Sequence, residues 1–257
     1  MKLVLSNNEN ITQFATLFQN IKVFSESIVI RINDKGLYMQ GMDIAQCSLF
    51  EAELDKEWFS EYEYCHEDVS TIGINTISLQ KVFGTLSEGQ TITFDADEDN
   101  LELSFTGKDK TLNKFFKIPL MDIEQELITM KNTDSDVDLI ISSKKMSNLI
   151  SQLQLFDDKV KMDFTDEHVT VLSSGIEGSM KVNISFDDVI EYAIAEDCVF
   201  CQSYSLSHIS MMCIFGKLSN EFVMKFSKER PMEGIYKIGE NSHVTFYLAP
   251  KINEDDD

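Results

Sequence analysis

The sequence contains no apolar run that approaches the roughly 18 residues a membrane-spanning helix needs. Its start, MKLVLSNNENITQF, has too short an apolar part for a secretory leader and no small-residue cleavage site. An intracellular protein is the expectation. Cysteine is sparse. Cys47, Cys65, Cys198, Cys201 and Cys213 make no disulfide framework in a chain of 257 residues, so reduced, mostly buried thiols are expected. There is no glycine-rich phosphate loop, no HExxH and no nucleophile elbow, and His66, His168, His208 and His243 are scattered. The pair in CVFC, Cys198 and Cys201, has no second pair near it and reads as structural. DADEDN, from Asp95, starts like a calcium loop. It has Asn100 where glycine is required and Thr106 where the bidentate glutamate belongs, so it reads as a hairpin turn. An enzyme would need converging acids, bases or metal ligands, and none is legible. No catalytic residue, metal or cofactor is expected.

Positive charge is also scarce. Lysine and arginine number 22 against 44 acids, a net charge of −22. Spread evenly, that charge would repel nucleic acid. It is not spread evenly. Residues 10–22, 76–86, 143–156 and 205–218 read as helices, and none holds an acid, where even spreading would place roughly nine. They carry Lys22, Lys81, Lys144, Lys145 and Lys217. Their second faces are polar: Thr12, Gln13, Thr16 and Gln19 in one, Asn148, Ser151, Gln152 and Gln154 in another. A neutral-to-basic face of this kind suits a phosphate backbone without reading bases. Gln13, Gln19, Lys22, Lys81, Lys144, Lys145, Asn148, His208 and Lys217 are the expected DNA-facing residues. The bland alternative is four apolar helices packed on a sheet.

What the chain does have is 43% hydrophobic and 10% aromatic content, ample for a packed core. It also repeats itself. IVIRINDKGLYMQGMD from Ile28 and VKMDFTDEHVTVLSSG from Val160 are both strand, Asp-centred turn, strand. The stripe Phe14, Leu17, Phe18, Ile21 returns 132 positions later as Met146, Leu149, Ile150, Leu153, and VFGTLSEG from Val82 returns at the same offset as IFGKLSNE. Each half reads strand, helix, strands, second helix, strands, with alternating stretches such as TITFDADEDNLELSFTG forming hairpins. Between them KIPLMDIEQELITMKNTDSD is long for a loop and suits a surface crossing. The expected division is 1–117, a connector at 118–133, and 134–257.

The ending HVTFYLAPKI followed by acids, MDIAQCSLFEAEL after the first hairpin, and the connector KIPLMDIEQELI resemble proliferating cell nuclear antigen, the eukaryotic-type DNA sliding clamp family. The resemblance covers the whole chain. It implies an α+β fold of two tandem-repeat clamp domains, with three subunits in a closed ring, helices lining the hole and antiparallel sheets outside. It implies a processivity factor without catalytic chemistry. The implied partners are double-stranded DNA, held without sequence preference, a DNA polymerase and other short-peptide clients, an ATP-dependent loader, and further copies of the chain. No membrane is implied. The implied location is the nucleus or the replication compartment of a virus.

Clients of the family bury apolar and aromatic anchors under the connector and pair with the tail. By motif alignment that pocket would use Met42, Gln46, Cys47, Leu49, Leu127, Ile128, Pro231, Tyr247, Ala249, Pro250 and Ile252, with Lys251 staying exposed. The ring interface would pair residues 110–117 with 176–183. Phe115, Phe116, Met180 and Val182 would be its apolar part, and Lys110, Lys114 and Lys117 would face Glu177. Some positions depart from the pattern. Gln46 stands where the family commonly has histidine, Glu126 where an apolar residue is usual, and Thr165 at the loop lysine used for ubiquitin attachment. The helix faces are less basic than usual. Competing readings are a subunit of a heteromeric clamp, a monomeric processivity factor, or an acidic DNA mimic or histone chaperone. The last predicts acids on every solvated face.

Overall fold

The computed structural model describes residues 1–64, 71–107, 112–130 and 134–251. Two compact units emerge. One is residues 1–128 with 237–244, and the other is residues 129–236 with 245–257.

The first unit runs β1 (Lys2–Leu5), α1 (Asn8–Asn20), β2 (Ser27–Ile32), β3 (Gly36–Met42), β4 (Ser48–Asp55), β5 (Glu61–Glu63), β6 (Thr71–Asn75), α2 (Thr76–Phe83), β7 (Gln90–Ala96), β8 (Asn100–Gly107) and β9 (Lys114–Pro119). The second runs β10 (Val137–Ser142), α3 (Ser143–Leu153), β11 (Lys159–Phe164), β12 (Val169–Gly175), β13 (Gly178–Ile184), β14 (Glu191–Ile194), β15 (Phe200–Ser205), α4 (Leu206–Cys213), β16 (Glu221–Ser227), β17 (Arg230–Lys237) and β18 (His243–Leu248). The same eleven-element order occurs twice, which is the duplication expected from the 132-residue offset. Pairing repeats too. The first unit has orders β5-β1-β7-β8-β9 and β4-β3-β2-β6, and the second has β14-β10-β16-β17-β18 and β13-β12-β11-β15. Every resolved strand pair is antiparallel, as in β2 with β3, where Arg31 lies opposite Tyr38 and Val29 opposite Gln40.

Each unit has its own core under its helix pair. In the first, Phe14 and Phe18 of α1 meet Phe83 and Phe94, with ring centroids 5.2 Å apart for Phe18 and Phe83. In the second, Phe164, Phe200 and Phe226 cluster, the closest pair at 4.6 Å. The helical stripe explains this packing: Phe14, Leu17, Phe18 and Ile21 are buried, as are Met146, Ile150 and Leu153. Local signals set the helix starts. Asn7 caps α1 by accepting from the Glu9 and Asn10 amides, and Asn75 caps α2 by accepting from Ser78.

Two expectations need correction. Glu9 lies in the first turn of α1, so that helix is not free of acid; a carboxylate there complements the helix dipole. Cys201 is exposed and Cys198 half-buried, because strand alternation points Cys201 away from the core; Cys213 is buried. Cys65 and His66 lie outside the described residues. DADEDN is the turn between β7 and β8, with Asp97 accepting from the Asp99 and Asn100 amides.

Candidate functional site

The helix faces come first. Lys22 and Lys81 are exposed in the first unit, and Lys144, Asn148 and Lys217 in the second. Gln13 is only 7% exposed. The buried side of α1 is wider than its apolar stripe and takes in Gln13 and Thr16, so the expectation that Gln13 faces solvent is corrected. Gln19 is half-buried and donates its Nε2 to the Phe83 carbonyl at 2.8 Å, tying α1 to the end of α2. Lys145 is exposed, but its ammonium lies 2.8 Å from the Asp188 carboxylate, so its charge is matched internally. His208 is half-buried with Nδ1 2.9 Å from Ser205 Oγ.

Behind β9 the chain becomes a connector that lies on the first unit. Met121 bridges Gly73 of β6, its amide donating to the Gly73 carbonyl at 2.8 Å. A side chain at Gly73 would collide with the Met121 carbonyl and sit 2.9 Å from Ile123 Cδ1, so only glycine admits this approach. Further on, Arg31 donates Nη2 to the Gln125 carbonyl at 2.9 Å. Gln125 donates Nε2 to the Gln40 carbonyl at 2.8 Å. The Gln40 side chain then grips Ile128 twice, donating to its carbonyl at 2.8 Å and accepting from its amide at 2.9 Å. Gln40 also donates to the Tyr38 hydroxyl at 3.1 Å, which donates to Glu51 at 2.7 Å. Burial, then that bond to Glu51, pushes the Tyr38 hydroxyl well above its usual range. Beyond this network Leu127 and Ile128 are 45% and 42% exposed.

Of the other expected pocket residues in the first unit, Met42 and Cys47 are half-buried, Leu49 is buried and Gln46 is exposed. Their loop is organised by Asp43, whose carboxylate accepts from the Ala45, Cys47 and Ser48 amides. In the second unit Pro231 and Tyr247 are half-buried, and Ala249 and Pro250 are exposed. Ile252 lies outside the described residues.

Lys251 departs from expectation. Its amide donates to the Ser203 carbonyl at 2.7 Å, and its ammonium meets Asp158 at 2.8 Å. The same Asp158, in the turn before β11, caps α4 by accepting from the Ser207 amide. Burial pushes the Asp158 carboxyl up. Lys251, then the Ser207 amide and the Ser207 and Ser205 hydroxyls, more than offset this and hold it at about 2.

The expected ring edges are β9 and β13, each the end strand of its sheet. Phe115 is 74% exposed. Phe116 is half-buried against Phe105, with ring centroids 5.3 Å apart. Met180 and Val182 are half-buried and Glu177 is exposed. Lys114 is turned inward to the Thr85 carbonyl and Ser87 Oγ, at the carboxyl end of α2, where the helix dipole attracts it; it does not reach outward to an acid. Lys117 pairs with Glu102 at 3.3 Å. Lys110 lies outside the described residues.

Sequence reasoning missed Gly73, Arg31, Gln40, Gln125 and Asp158. The legible signal was Gln40, a polar residue in the apolar setting YMQGM.

The sequence has relatives among known proteins. The chain is 28% identical to proliferating cell nuclear antigen 1 of Plasmodium falciparum, over 98% of this chain and 97% of that one. It is 25% identical to a DNA polymerase sliding clamp of Pyrococcus abyssi, over 96% and 97%. The family model for the N-terminal domain of proliferating cell nuclear antigen matches residues 7–128. Similarity to the sliding clamps of the proliferating cell nuclear antigen family therefore runs through nearly the whole chain. Sliding clamps of this family are not enzymes, in line with the expectation of a protein without catalytic residues. The matched stretch contains the whole first unit apart from β1 and the 237–244 segment, and ends at Ile128, the residue gripped by Gln40. No helix among the described residues is long and apolar enough to cross a membrane.

Proposed function

We propose that three copies close into a ring around duplex DNA and tether a polymerase and other clients to the template. The observation that carries this reading is the charge pattern. In a chain of net charge −22, the four helices contain one acid, Glu9, while Lys22, Lys81, Lys144 and Lys217 stand exposed in or directly after them. A closed ring holds DNA by topology, so weak contacts to phosphate suffice and let it slide. Tethering then raises the effective concentration of a polymerase at its template. A curated relative named as a DNA polymerase sliding clamp supports that partner.

Copies would join through β9 of one and β13 of the next. Leu112, Phe115 and Ile176 supply exposed apolar surface near those edges. With Lys114 hydrogen-bonded inward to Thr85 and Ser87 and Lys117 paired with Glu102, this contact rests on apolar burial more than on ion pairs. Client peptides would use two surfaces, one on each unit: Met42, Leu49, Leu127 and Ile128 on the first, and Tyr247, Ala249 and Pro250 on the second. Loading would need an external ATPase, since the sequence has no phosphate loop. The location that fits is the nucleus or a viral replication compartment.

Light scattering across concentration tests the assembly. The expected mass is about 88 kDa, three times the 29.4 kDa chain, and Phe115→Asp should lower it to that of one chain. A species near one chain mass in the unmodified protein rules out the homotrimer and favours a heteromeric subunit or a monomeric factor. A ring should also stay on closed circular DNA and leave when that DNA is cut.

A further inference from the structure

Arg31, Tyr38, Gln40 and Glu51 share one face of the β2–β3–β4 sheet, because directly paired residues and residues two apart in a strand point the same way. The connector crosses that face. Among the described residues no strand pairs with it at Ile128. Instead one side-chain amide, that of Gln40, offers Ile128 the donor and acceptor that a neighbouring strand would. Gln40 is only 1% exposed, so its bonds are made away from competing water.

We propose that Gln40 and Arg31 are positioning residues for client docking: they fix the connector from Met121 to Ile128 so that Leu127 and Ile128 are presented in order before a client arrives. The inference rests on the client-docking reading above and deepens it. An apolar anchor that lands on a preordered surface avoids the cost of ordering that surface. The hold is also sparse. Arg31 Nη1 and Gln125 Oε1 are buried in the same network without hydrogen-bond partners among the described residues. Unmet polar atoms lower the net gain of the seat, so removing the Gln40 grip leaves little in reserve.

The test uses the full chain with Gln40→Leu and Gln40→Glu. Gln40→Glu keeps size and shape but faces the Ile128 carbonyl with a second acceptor. Amide hydrogen exchange is followed along the chain. Binding is read with a fluorescein-labelled synthetic peptide bearing an apolar and an aromatic anchor. Both variants should raise exchange from Met121 to Ile128 by about tenfold or more, leave β2, β3 and β4 protected, and weaken the peptide by about tenfold through slower association. Unchanged connector exchange overturns the proposal. So does a loosened connector with unchanged peptide affinity, and so does loss of protection across β2–β4, which would mark a merely structural residue. If the unmodified chain does not bind the peptide, the client reading fails on that arm, and the exchange arm still reports whether Gln40 orders the connector.

Discussion

The connector and the C-terminal tail are the same element used twice. Each leaves the last strand of its unit and bridges the equivalent strand: Met121 to Gly73 of β6, and Lys251 to Ser203 of β15. They are fastened differently. The connector lies on a glycine and is held by amide bonds through a buried Gln40 and by the Arg31 guanidinium on the Gln125 carbonyl. The tail passes a serine and is held by an ion pair whose side chains are 37% and 46% exposed. A duplicated backbone therefore fixes where a strap runs, while side chains fix how it responds to its surroundings. The first fastening, which joins a cation to a neutral carbonyl and amides to one another, should respond less to salt than the partly exposed ion pair of the second.

Breaking the glycine contact should have the largest effect. Gly73→Val forces the Met121 carbonyl and Ile123 away, and we expect a loss of about 1–3 kcal/mol in denaturant titration, with faster exchange from Met121 to Ile128. The tail fastening should be weaker. Lys251→Met removes a partly exposed pair, so stability should fall by less than about 1 kcal/mol. Proteolysis of the tail should nevertheless speed up, and about 1 M salt should reproduce that change in the unmodified chain while changing the connector less.

Acid separates the two straps without mutation. The Asp158 carboxyl is held at about 2, below its unfolded value. Its contribution is therefore fully present above about pH 4, the unfolded carboxylate range, and is lost as pH falls through the folded value. Tail protection should hold from neutral pH to about pH 4 and then fade, whereas the Gln40 amide that grips the connector is not an ionisable group. A tail that loosens near pH 6 would assign the fastening to another group. The smallest effect is expected at Ser203. Its hydroxyl is buried without a hydrogen-bond partner among the described residues, so Ser203→Ala should change stability in denaturant titration by no more than about 0.5 kcal/mol, in the stabilising direction if at all.

Much of this was legible in one dimension. The offset between Phe14, Leu17, Phe18 and Met146, Ile150, Leu153 follows from helical periodicity, and these side chains are buried. The DADEDN hairpin followed from its turn residues. Site details were less legible. Gln13 reads as a polar helix position but is buried, and Lys114 reads as a spare cation but sits at a helix end. Both depend on contacts between segments distant in sequence, Lys114 being 29 residues from Thr85.

The sequence by itself determined the duplication, the two-helix αβ unit and the scarcity of acid in the helices, where Glu9 is the one carboxylate, because periodicity and charge are properties of neighbours in the chain. The tertiary structure alone decided which polar groups stay free. Gln40 meets Ile128 across 88 residues, and Lys251 meets Asp158 across 93. Hydrogen bonds and ion pairs depend on distances of about 3 Å, and only the folded chain brings such partners within that reach.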